Sequence, residues 1–416
     1  MIDTAVYSKL DPRLLDRECH KIAKWWSTHS VDHLHGGFFG EIDAKANPVI
    51  AANKGIVLNT RILWFFSEAA NTYDNAEYGK IAKRAFDYLL TFFEDKQHGG
   101  VLWELDYQGQ CISGKKQTYA QAFAIYALCA YYRLSGDDTA LAKAFEYFDL
   151  LESHAIEPQF GGYLEAFAQD WQPLDDMRLS DKDLNYPKSM NTHLHVIEAY
   201  TSLYQVSGKT EVGQALSTLL GVFEQHIILQ PSMHLSLFQN VDWQDQSPAF
   251  SYGHDIECSW LLWEAVEVLN QPAVTQKYKK IVLAMAEVCL DQAIGQRGQV
   301  CDQFTFVDQQ THQESFWWVQ AEALVGFLQA YQLGGGEKFK LAAEKVWQFI
   351  QQQHIDREYG EWFWLALCDQ GPHDDTYKAG FWKGPYHNGR AMMVATRLLQ
   401  QSELHKEQEV EHAMAK

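Results

Sequence analysis

The sequence lacks the features that mark a membrane-bound or exported protein. No uninterrupted apolar run reaches the roughly 18 residues that a transmembrane helix needs. The segment 1–21 carries charges throughout and has no apolar core of the kind found in signal peptides. The seven cysteines show no CxxC spacing, which favours reduced thiols. These absences predict a cytoplasmic protein with no membrane partner.

Positive charge is scarce in this chain. Lys and Arg number 34 against 54 Asp and Glu, so the formal net charge is −20. Phosphate backbones and anionic lipid surfaces repel such a chain, which argues against nucleic acid and membrane as partners. Hydrophobic residues reach 47%, enough for a large core, and aromatic residues reach 14%, with 14 tryptophans. Flat apolar rings fit the apolar faces of sugars, although large helical proteins also use them as core filler.

An internal repeat organises the chain. A Gly-Gly turn followed by a short aromatic stretch occurs as GGFFGEID from Gly36, GGVLWELD from Gly99 and GGYLEAFA from Gly161. Weaker copies follow from Met233, Gly298 and Gly360, and the successive starts are 62 to 72 residues apart. Six units of this length account for nearly the whole chain and indicate a repeat architecture. We therefore predict one domain spanning 1–416.

Two helical segments are expected between successive hairpins. The segment 77–96 has apolar residues at i, i+3, i+4 and i+7 with charges between them, whereas 192–206 and 256–269 are apolar nearly all round. An amphipathic helix fits an outer position and an apolar one an inner position. Six such pairs predict an all-α (α/α)6 barrel, with six inner and six outer helices and short β-hairpins at one end.

The starts of the inner helices carry the unusual residues of the chain. If these helices run parallel, all six starts meet at one mouth of the barrel and line a single funnel. Packing or helix capping explains any one of these residues, but not their recurrence at the same place in successive repeats. The starts are NTRILW (59–64), QTYAQAF (117–123), SMNTHLH (189–195), SYGHDIE (251–257), FWWVQAE (316–322) and PYHNGR (385–390).

The histidines of the funnel are spaced for proton transfer rather than for metal binding. His254 and Glu257 are three residues apart and share a helix face, so the carboxylate can hold the imidazole tautomer, or act as a capping residue. His193 and His195 are two apart and point to different faces, which makes a poor metal chelate. We place His195 in the funnel and His193 at its edge or in packing, and expect no metal and no cofactor.

The chemistry follows from this set of residues. The sequence has no nucleophile elbow, no P-loop and no dinucleotide fingerprint in its strand context. Imidazoles with an ordinary pKa near ~6.5 suit proton transfer at carbon near neutral pH. Abstracting a proton alpha to a carbonyl creates an enediolate, whose charge Arg61 and the positive ends of the inner helices can stabilise. The pattern thus predicts proton abstraction from an open-chain aldose.

Five long segments resemble the cellobiose 2-epimerases of the N-acylglucosamine 2-epimerase superfamily, which are (α/α)6 barrels. They are NKGIVLNTRILWFFS (53–67), MNTHLHVIEAYTSLY (190–204), SYGHDIECSWLLWEA (251–265), FWWVQAEALVGFLQAY (316–331) and WKGPYHNGR (382–390). The resemblance covers nearly the full length and implies an isomerase that interconverts the reducing-end glucose of cellobiose with mannose through an enediolate. The alternative within the superfamily is a mannose 2-epimerase or a mannose/glucose–fructose isomerase.

The resemblance also implies a role for each site residue. His387 and His254 exchange the C2 proton, and Glu257 orients His254. His195 assists ring opening and Arg61 stabilises the oxygen at the reacting end. The implied sugar contacts are hydrogen bonds from Tyr119 and Asn191, stacking by Trp317 and Trp382, and a hydroxyl held by Glu322, whereas Trp318 is expected in packing.

Two other classes fit part of the pattern. A glycoside hydrolase needs two carboxylates, for which Glu257 and Glu322 are candidates, but it leaves three histidines and Arg61 without a task. A sugar-binding module without catalysis explains the tryptophans only. The expected partner is a small-molecule sugar, and the expected assembly is a monomer or weak homodimer. The sequence leaves open whether the loop 177–188 closes over the substrate.

Overall fold

The computed structural model of the protein describes residues 10–367, 371–373 and 376–414. Residues 1–9 of the charged N-terminal segment and 368–370 of the sixth repeat copy lie outside the described residues. The α-helices of the described part are α1 (Pro12–His29), α2 (Ile56–Tyr73), α3 (Ala76–Tyr88), α4 (Thr118–Ser135), α5 (Asp138–His154), α6 (Met190–Ser207), α7 (Thr210–Val222), α8 (Tyr252–Leu269), α9 (Pro272–Gln292), α10 (Trp317–Ala330), α11 (Glu337–Phe349) and α12 (Tyr386–Met414). π-Helical turns extend α3, α7, α10 and α11 over Leu89–Phe93, Phe223–Ile227, Tyr331–Gly335 and Ile350–His354.

The even-numbered helices form a closed inner ring. Each of α2, α4, α6, α8 and α10 packs against the next, and α12 packs against both α10 and α2. The helices α3, α5, α7, α9 and α11 pack outside the inner helix that precedes them, and α1 packs outside α12. The predicted (α/α)6 barrel is confirmed. Its first outer helix comes from the N-terminal end of the chain and covers the last inner helix.

Burial distinguishes the two rings as the hydrophobic pattern predicts. In the inner helix α8, 14 of 18 residues are buried, so every face of the helix meets protein. In the outer helix α3 the buried residues are Ala82, Ala85, Phe86 and Tyr88, a single stripe that faces the ring. Each large apolar side chain removed from water contributes about 1.5–3 kcal/mol to folding, and the two rings share this core.

Short strands close the barrel at the N-terminal ends of the inner helices. The strands are β1 (Lys54–Gly55), β2 (Glu104–Leu105), β3 (Cys111–Ser113), β4 (Lys116–Gln117), β5 (Ala166–Phe167), β6 (Lys188–Ser189), β7 (Phe238–Gln239), β8 (Ala249–Ser251), β9 (Gln303–Thr305), β10 (Gln310–His312), β11 (Ser315–Phe316), β12 (Leu365–Leu367) and β13 (Gly371–His373). A strand directly precedes each of the inner helices α2, α4, α6, α8 and α10, and it pairs antiparallel with a strand of the following repeat. A bridge between Ile42 and Ala379 joins the first repeat to the sixth. These pairings hold the starts of the inner helices together at one mouth.

Buried ion pairs recur with the repeat, and the sequence analysis did not anticipate them. Lys54 Nζ lies 2.9 Å from Asp32 Oδ2, and Lys116 Nζ lies 2.7 Å from Asp95 Oδ2. In each pair the acid follows an outer helix and the lysine belongs to the strand before the next inner helix. Removing one partner of such a buried pair costs about 3–5 kcal/mol, so these pairs fix each hairpin to its helices.

No helix within the described ranges combines the length and the apolar character that crossing a bilayer requires.

Candidate active site

The inner helices present their side chains to the barrel axis in layers. Positions two, six and nine of a helix lie on one face, because they are four and three residues apart. The second residues include Tyr119, Asn191, Trp318 and His387; the sixth residues include Arg61, Phe123, His195, Glu257 and Glu322; the ninth residues include Trp64, Tyr126, Glu198 and Trp260. The layer formed by the second residues, called the second layer below, contains half-buried side chains. The layer formed by the sixth residues is buried throughout, so the axial space narrows from the mouth inward.

Two imidazoles flank one tryptophan at the mouth. The ring centroid of Trp318 lies 4.7 Å from that of His254 and 5.7 Å from that of His387. Gly253 makes this possible, because a Cβ at that residue would stand 2.6 Å from the Trp318 ring. Trp318 and His254 are half-buried, so both are available to a small molecule at the mouth.

Carboxylates fix the orientation of two of the three histidines. His387 Nδ1 lies 2.6 Å from Glu322 Oε1, and His195 Nδ1 lies 2.9 Å from Glu198 Oε2. Where the carboxylate is ionised it can only accept, so the ring then carries its proton on Nδ1 and leaves Nε2 as a base. The third ring, His254, has the Ser251 hydroxyl 2.8 Å from its Nδ1.

Burial keeps these imidazoles neutral. Desolvation lowers the pKa of His254 to about 3, with repulsion from His195 as a smaller cause. It lowers the pKa of His387 well below the ordinary value, and the cations Arg61 and Arg390 act in the same direction. The pKa of His195 is also lowered by burial, against the attraction of Glu198. Near neutral pH the neutral form of all three rings is therefore favoured.

One guanidinium lies among three buried carboxylates. Arg390 Nη2 donates to Glu257 Oε1 at 2.9 Å and to Glu322 Oε1 at 2.7 Å, and Nη1 donates to Glu198 Oε1. Burial raises the pKa of Glu257 well above its usual range, and repulsion from Glu322 adds to the rise. Burial would also raise the pKa of Glu198, but attraction to Arg390 and the hydrogen bond from His195 outweigh it, so this pKa is lowered. The cluster thus favours the ionised form of Glu198 and the protonated form of Glu257.

Arg61 forms a second cationic group nearer the first three repeats. Its Nη2 donates to the Tyr119 hydroxyl at 2.8 Å, and its Nη1 donates to the backbone carbonyl of Trp382. The guanidinium carbon lies 4.8 Å from the centroid of the Phe123 ring, and the Tyr119 ring lies 4.8 Å from that of His195. A fixed cation and a phenol beside an imidazole can stabilise an oxygen that acquires negative charge.

The hydrogen bonds of Glu257 and His254 go to different residues. This carboxyl meets Arg390, and its Oε1 lies 3.9 Å from His387 Nδ1, while His254 is hydrogen-bonded to Ser251. Glu257 is the sixth residue of α8 and points to the axis, whereas His254 is the third and lies one step around the helix. The structure thus gives Glu257 and His254 separate hydrogen-bond partners, and the orienting role of Glu257 towards His254 stays a prediction.

Both carboxyl oxygens of Glu322 have partners within the protein. Its Oε1 accepts from His387 and Arg390, and its Oε2 accepts from the Trp260 indole at 3.1 Å. The side chain is fully buried. Glu322 thus fixes the orientation of the His387 ring, and its contact with a sugar hydroxyl stays a prediction.

Trp317 and Trp318 differ in burial, and the more exposed of the two is the ring expected in packing. Trp317, the first residue of α10, is 3% exposed and packs on Trp364 at 4.4 Å between centroids, with Lys383 Nζ 5.5 Å from its ring. Trp318 takes the axial position of the second layer. The sequence shows that the two rings diverge by about 100°, but not which of them faces the axis.

The remaining predicted residues come together at the mouth. Asn191 is half-buried in the second layer, and its Oδ1 has no hydrogen-bond partner among the described residues. Trp382 is half-buried, with ring centroids 6.2 Å from Tyr119 and 5.9 Å from Trp103. His193 lies outside this space, as predicted, since its Nε2 accepts from the Tyr163 amide at 2.9 Å and its Nδ1 lies 2.6 Å from the Ser189 carbonyl.

Sequence reasoning missed Glu198, Arg390 and Trp103. Glu198 follows His195 by three residues, a spacing that signals a carboxylate–imidazole pair, and Arg390 closes the PYHNGR segment. Trp103 follows a Gly-Gly turn and carries Lys115 Nζ 4.7 Å from its ring. The loop 177–188 borders this side of the mouth, because the Arg178 carbonyl accepts from Lys115 Nζ at 3.2 Å and from Gln117 Nε2 at 2.8 Å.

Ligand atoms of Glu257, Glu322 and His387 lie within 4.8 Å of one another, a spacing that could hold a metal ion. Arg390 donates to both of these carboxyl groups. The guanidinium therefore already supplies the positive charge that a metal would bring to this cluster.

Comparisons with known proteins show the family of this chain. Residues 37–391 match the family model described as N-acylglucosamine 2-epimerase (GlcNAc 2-epimerase). The chain is 39% identical to a cellobiose 2-epimerase of Bacteroides fragilis over 89% of this chain and 94% of that protein. It is 38% identical to a cellobiose 2-epimerase of Ruminococcus albus over 88% and 93% of the two chains. The solved cellobiose 2-epimerase of Bacillus thermoamylovorans is similar at a TM-score of 0.89 and 32% identity, over 93% and 98%.

Proposed function

Because this chain belongs to the N-acylglucosamine 2-epimerase family, we propose that it is a cellobiose 2-epimerase. It interconverts the reducing-end glucose of cellobiose and related β-1,4-linked disaccharides with mannose. One observation carries the proposal: two neutral imidazoles, His254 and His387, flank the half-buried Trp318 at the mouth of the barrel. Neutral imidazoles beside an aromatic platform suit removal and return of a proton on a sugar carbon.

The reaction proceeds in two proton transfers on the open-chain sugar. One imidazole accepts the C2 proton, the C–H bonding pair moves into a C1–C2 double bond, and the C1 carbonyl oxygen takes up the negative charge. The other imidazole must first take up a proton, against the desolvation that favours its neutral form; it then returns this proton to C2 on the opposite face, the C1–C2 bonding pair forms the new C–H bond, and the ring becomes neutral. Glu322, 2.6 Å from His387 Nδ1, stabilises the imidazolium of His387, so we assign the acid role to this ring more readily than to His254.

Arg61 and Tyr119 stabilise the oxygen that becomes charged. Their mutual hydrogen bond of 2.8 Å aligns a cation and a phenol at one edge of the site. Such donors are worth most where the charge exists fully only in the intermediate. His195, held by Glu198, assists ring opening at this edge, and the unpartnered Asn191 Oδ1 receives a sugar hydroxyl.

Aromatic side chains at the mouth favour a disaccharide over a single sugar. Trp382 is half-buried and lies against Phe381 and Trp103, with centroids 5.2 Å and 5.9 Å apart. The Trp382 ring centroid lies 6.2 Å from that of Tyr119, so we assign this wall to the second ring of a disaccharide whose reacting ring contacts Tyr119. The second candidate is a mannose epimerase or aldose–ketose isomerase with the same proton chemistry. A single-sugar substrate has no second ring to contact this aromatic wall.

The burial and the hydrogen bonds of the two candidate carboxyl groups argue against the glycoside hydrolase hypothesis. Glu257 and Glu322 are fully buried, both are bonded to Arg390, and they do not flank open space. Hydrolysis by two carboxyls requires each of them to reach the scissile bond or its water.

Product analysis tests the proposal. The protein is incubated with cellobiose, and the products are separated and identified by NMR. A disaccharide with mannose at its reducing end supports the proposal. A disaccharide ending in fructose indicates an isomerase, free glucose a hydrolase, and unchanged cellobiose a binding protein. Conversion of free mannose in strong preference to cellobiose indicates the second candidate.

We further propose that residues 1–416 act as one catalytic domain, as a monomer or weak homodimer in the cytoplasm, with no nucleic acid or membrane partner. The net charge of −20 supports the last point. Sedimentation across a range of protein concentrations tests the assembly, since a constant large oligomer contradicts it.

A further inference from the structure

We propose that Arg390 is a positioning residue that couples His195 and His387, by holding the carboxylates that fix the Nδ1–H tautomer of both rings. The inference rests on the proposed function, because it concerns the efficiency of that reaction. Arg390 itself is 1% exposed and stands behind the imidazoles. It therefore acts through Glu198 and Glu322, without contact with the substrate.

Arg390 links its own inner helix to three others. Its guanidinium donates to Glu198 of α6, Glu257 of α8 and Glu322 of α10, while Arg390 belongs to α12. The guanidinium carbon lies 4.1 Å from the Tyr386 ring centroid and 4.6 Å from that of Trp260. Two rings and three acceptors leave the guanidinium a single orientation.

Glu198 and Glu322, which are held by Arg390, each fix the orientation of one imidazole. Glu198 uses Oε1 for Arg390 and Oε2 for His195. Glu322 Oε1 is shared between Arg390 Nη2 at 2.7 Å and His387 Nδ1 at 2.6 Å. A single cation thus supports the partners of two rings, one assigned to ring opening and one to proton exchange at C2.

The charge balance of the cluster depends on the guanidinium. Three buried carboxyl groups at this spacing cannot all ionise, and without a cation between them the anions that face the rings take up protons. A protonated carboxyl donates a hydrogen bond, so it turns the ring to the Nε2–H tautomer. That tautomer has no free Nε2 lone pair with which to accept a proton from carbon.

Other titratable groups around the cluster do not replace Arg390. They are Arg61 of α2, Tyr119 and Tyr126 of α4, His254 and Glu264 of α8, and Tyr386 of α12. Of these groups, Arg61 is the fixed cation, and it donates to Tyr119 and the Trp382 carbonyl. Tyr386 donates to Glu198, and burial raises its pKa, so it stays neutral.

The test compares Arg390→Lys with the parent protein. Lysine keeps the charge but has one nitrogen in place of a fork, so it cannot hold three carboxyl groups at once. We expect kcat for cellobiose to fall about a hundredfold with KM within about threefold, since displaced supporting residues typically cost 10- to 100-fold. The acid limb of the kcat–pH profile moves to higher pH, because the carboxyl groups must first lose their protons. Arg133→Lys is the matched control, since Arg133 pairs with Glu68 away from the site, and its pH profile stays that of the parent.

A purely structural role gives a different result. If Arg390→Lys lowers activity only in proportion to the folded fraction, with the parent's pH profile, or raises KM at unchanged kcat, the proposal is wrong. Nitrogen-15 NMR of histidine-labelled parent protein decides the matter even if the variant does not fold. The proposal requires the Nδ1–H tautomer in His195 and His387, and Nε2–H in either ring overturns it. This spectrum is independent of the sugar. The proposed function can therefore fail while the tautomers are as proposed, and the tautomers can differ from the proposal while the proposed function holds.

Discussion

His387 Nδ1 lies 2.6 Å from Glu322 Oε1, at the boundary between the half-buried mouth and the buried layer below it. The pair joins the start of α12 to the sixth residue of α10. It gives His387 a stabilised imidazolium that His254, with only a serine hydroxyl beside it, does not have. The two rings that flank Trp318 are therefore chemically unequal.

Glu322→Gln tests this inequality. The amide oxygen still accepts from His387 Nδ1, so the ring orientation is kept while the negative charge is lost. We expect kcat to fall about 10- to 100-fold with KM little changed, because the charge stabilises the protonated ring and not the bound sugar. Glu68→Gln, at an ion pair outside the site, is the control and leaves kcat unaltered. An unchanged kcat in Glu322→Gln contradicts the role of the carboxylate.

The adjacent tryptophans of α10 separate packing from function. Trp317→Ala removes a buried indole and should lower the free energy of unfolding by about 3–5 kcal/mol. Trp318→Ala removes a half-buried ring beside His254 and His387, so it should destabilise the fold less but lower kcat/KM by about tenfold, as expected for an aromatic contact of about 0.5–1.5 kcal/mol. Denaturant unfolding and steady-state kinetics on both variants check this. The opposite pattern restores Trp317 as the sugar platform.

Trp382→Ala addresses substrate length. Apolar burial against an indole contributes on the order of 1–3 kcal/mol, which is about ten- to a hundredfold in specificity. The substitution keeps the backbone carbonyl that accepts from Arg61, so the cation stays in place. We expect kcat/KM for cellobiose or mannobiose to fall far more than that for free glucose or mannose. Equal losses on both substrate classes mean that Trp382 supports the reacting ring only.

Stability should decline on mild acidification. Burial lowers the pKa of His193 to about 4 and that of His354 to about 3. In the unfolded chain these rings titrate near ~6.5, so below that pH the unfolded state binds more protons and the folded state loses stability, by about 1.4 kcal/mol per pH unit per ring. We expect Tm to fall steadily from pH 7 to pH 5, with a shallower slope in His354→Gln. A flat Tm over this range contradicts neutral burial of these rings.

The architecture could be predicted because the repeat is visible in the residue pattern of short segments. The Gly-Gly turns recur at a fixed period, and apolar patterning distinguishes 77–96 from 256–269 without any tertiary contact. The inner helices begin close to the predicted starts; α2, for example, begins at Ile56, three residues before Asn59. Local signals of this kind are sufficient to order the elements and to bring their ends to one mouth.

The hydrogen-bond partners within the site could not be predicted, because they come from distant parts of the chain. Glu257 and Arg390 are 133 residues apart, and no local pattern shows that α8 and α12 direct them to one point. The choice between Trp317 and Trp318 depends on the rotation of α10 about its axis. That rotation is set by packing on both neighbouring helices, because α10 is apolar on every face.

Exchange of the C2 proton in deuterated water tests the central claim most directly. The parent protein, His254→Ala, His387→Ala and the exposed-residue control His33→Ala are incubated with cellobiose, and deuterium at C2 of the reducing-end sugar is measured by NMR. We predict deuterium at C2 in the epimerised product with the parent and with His33→Ala, and loss of epimerisation in folded His254→Ala and His387→Ala. Near-normal turnover in either histidine variant, or an epimer formed without deuterium at C2, contradicts proton exchange between these two imidazoles.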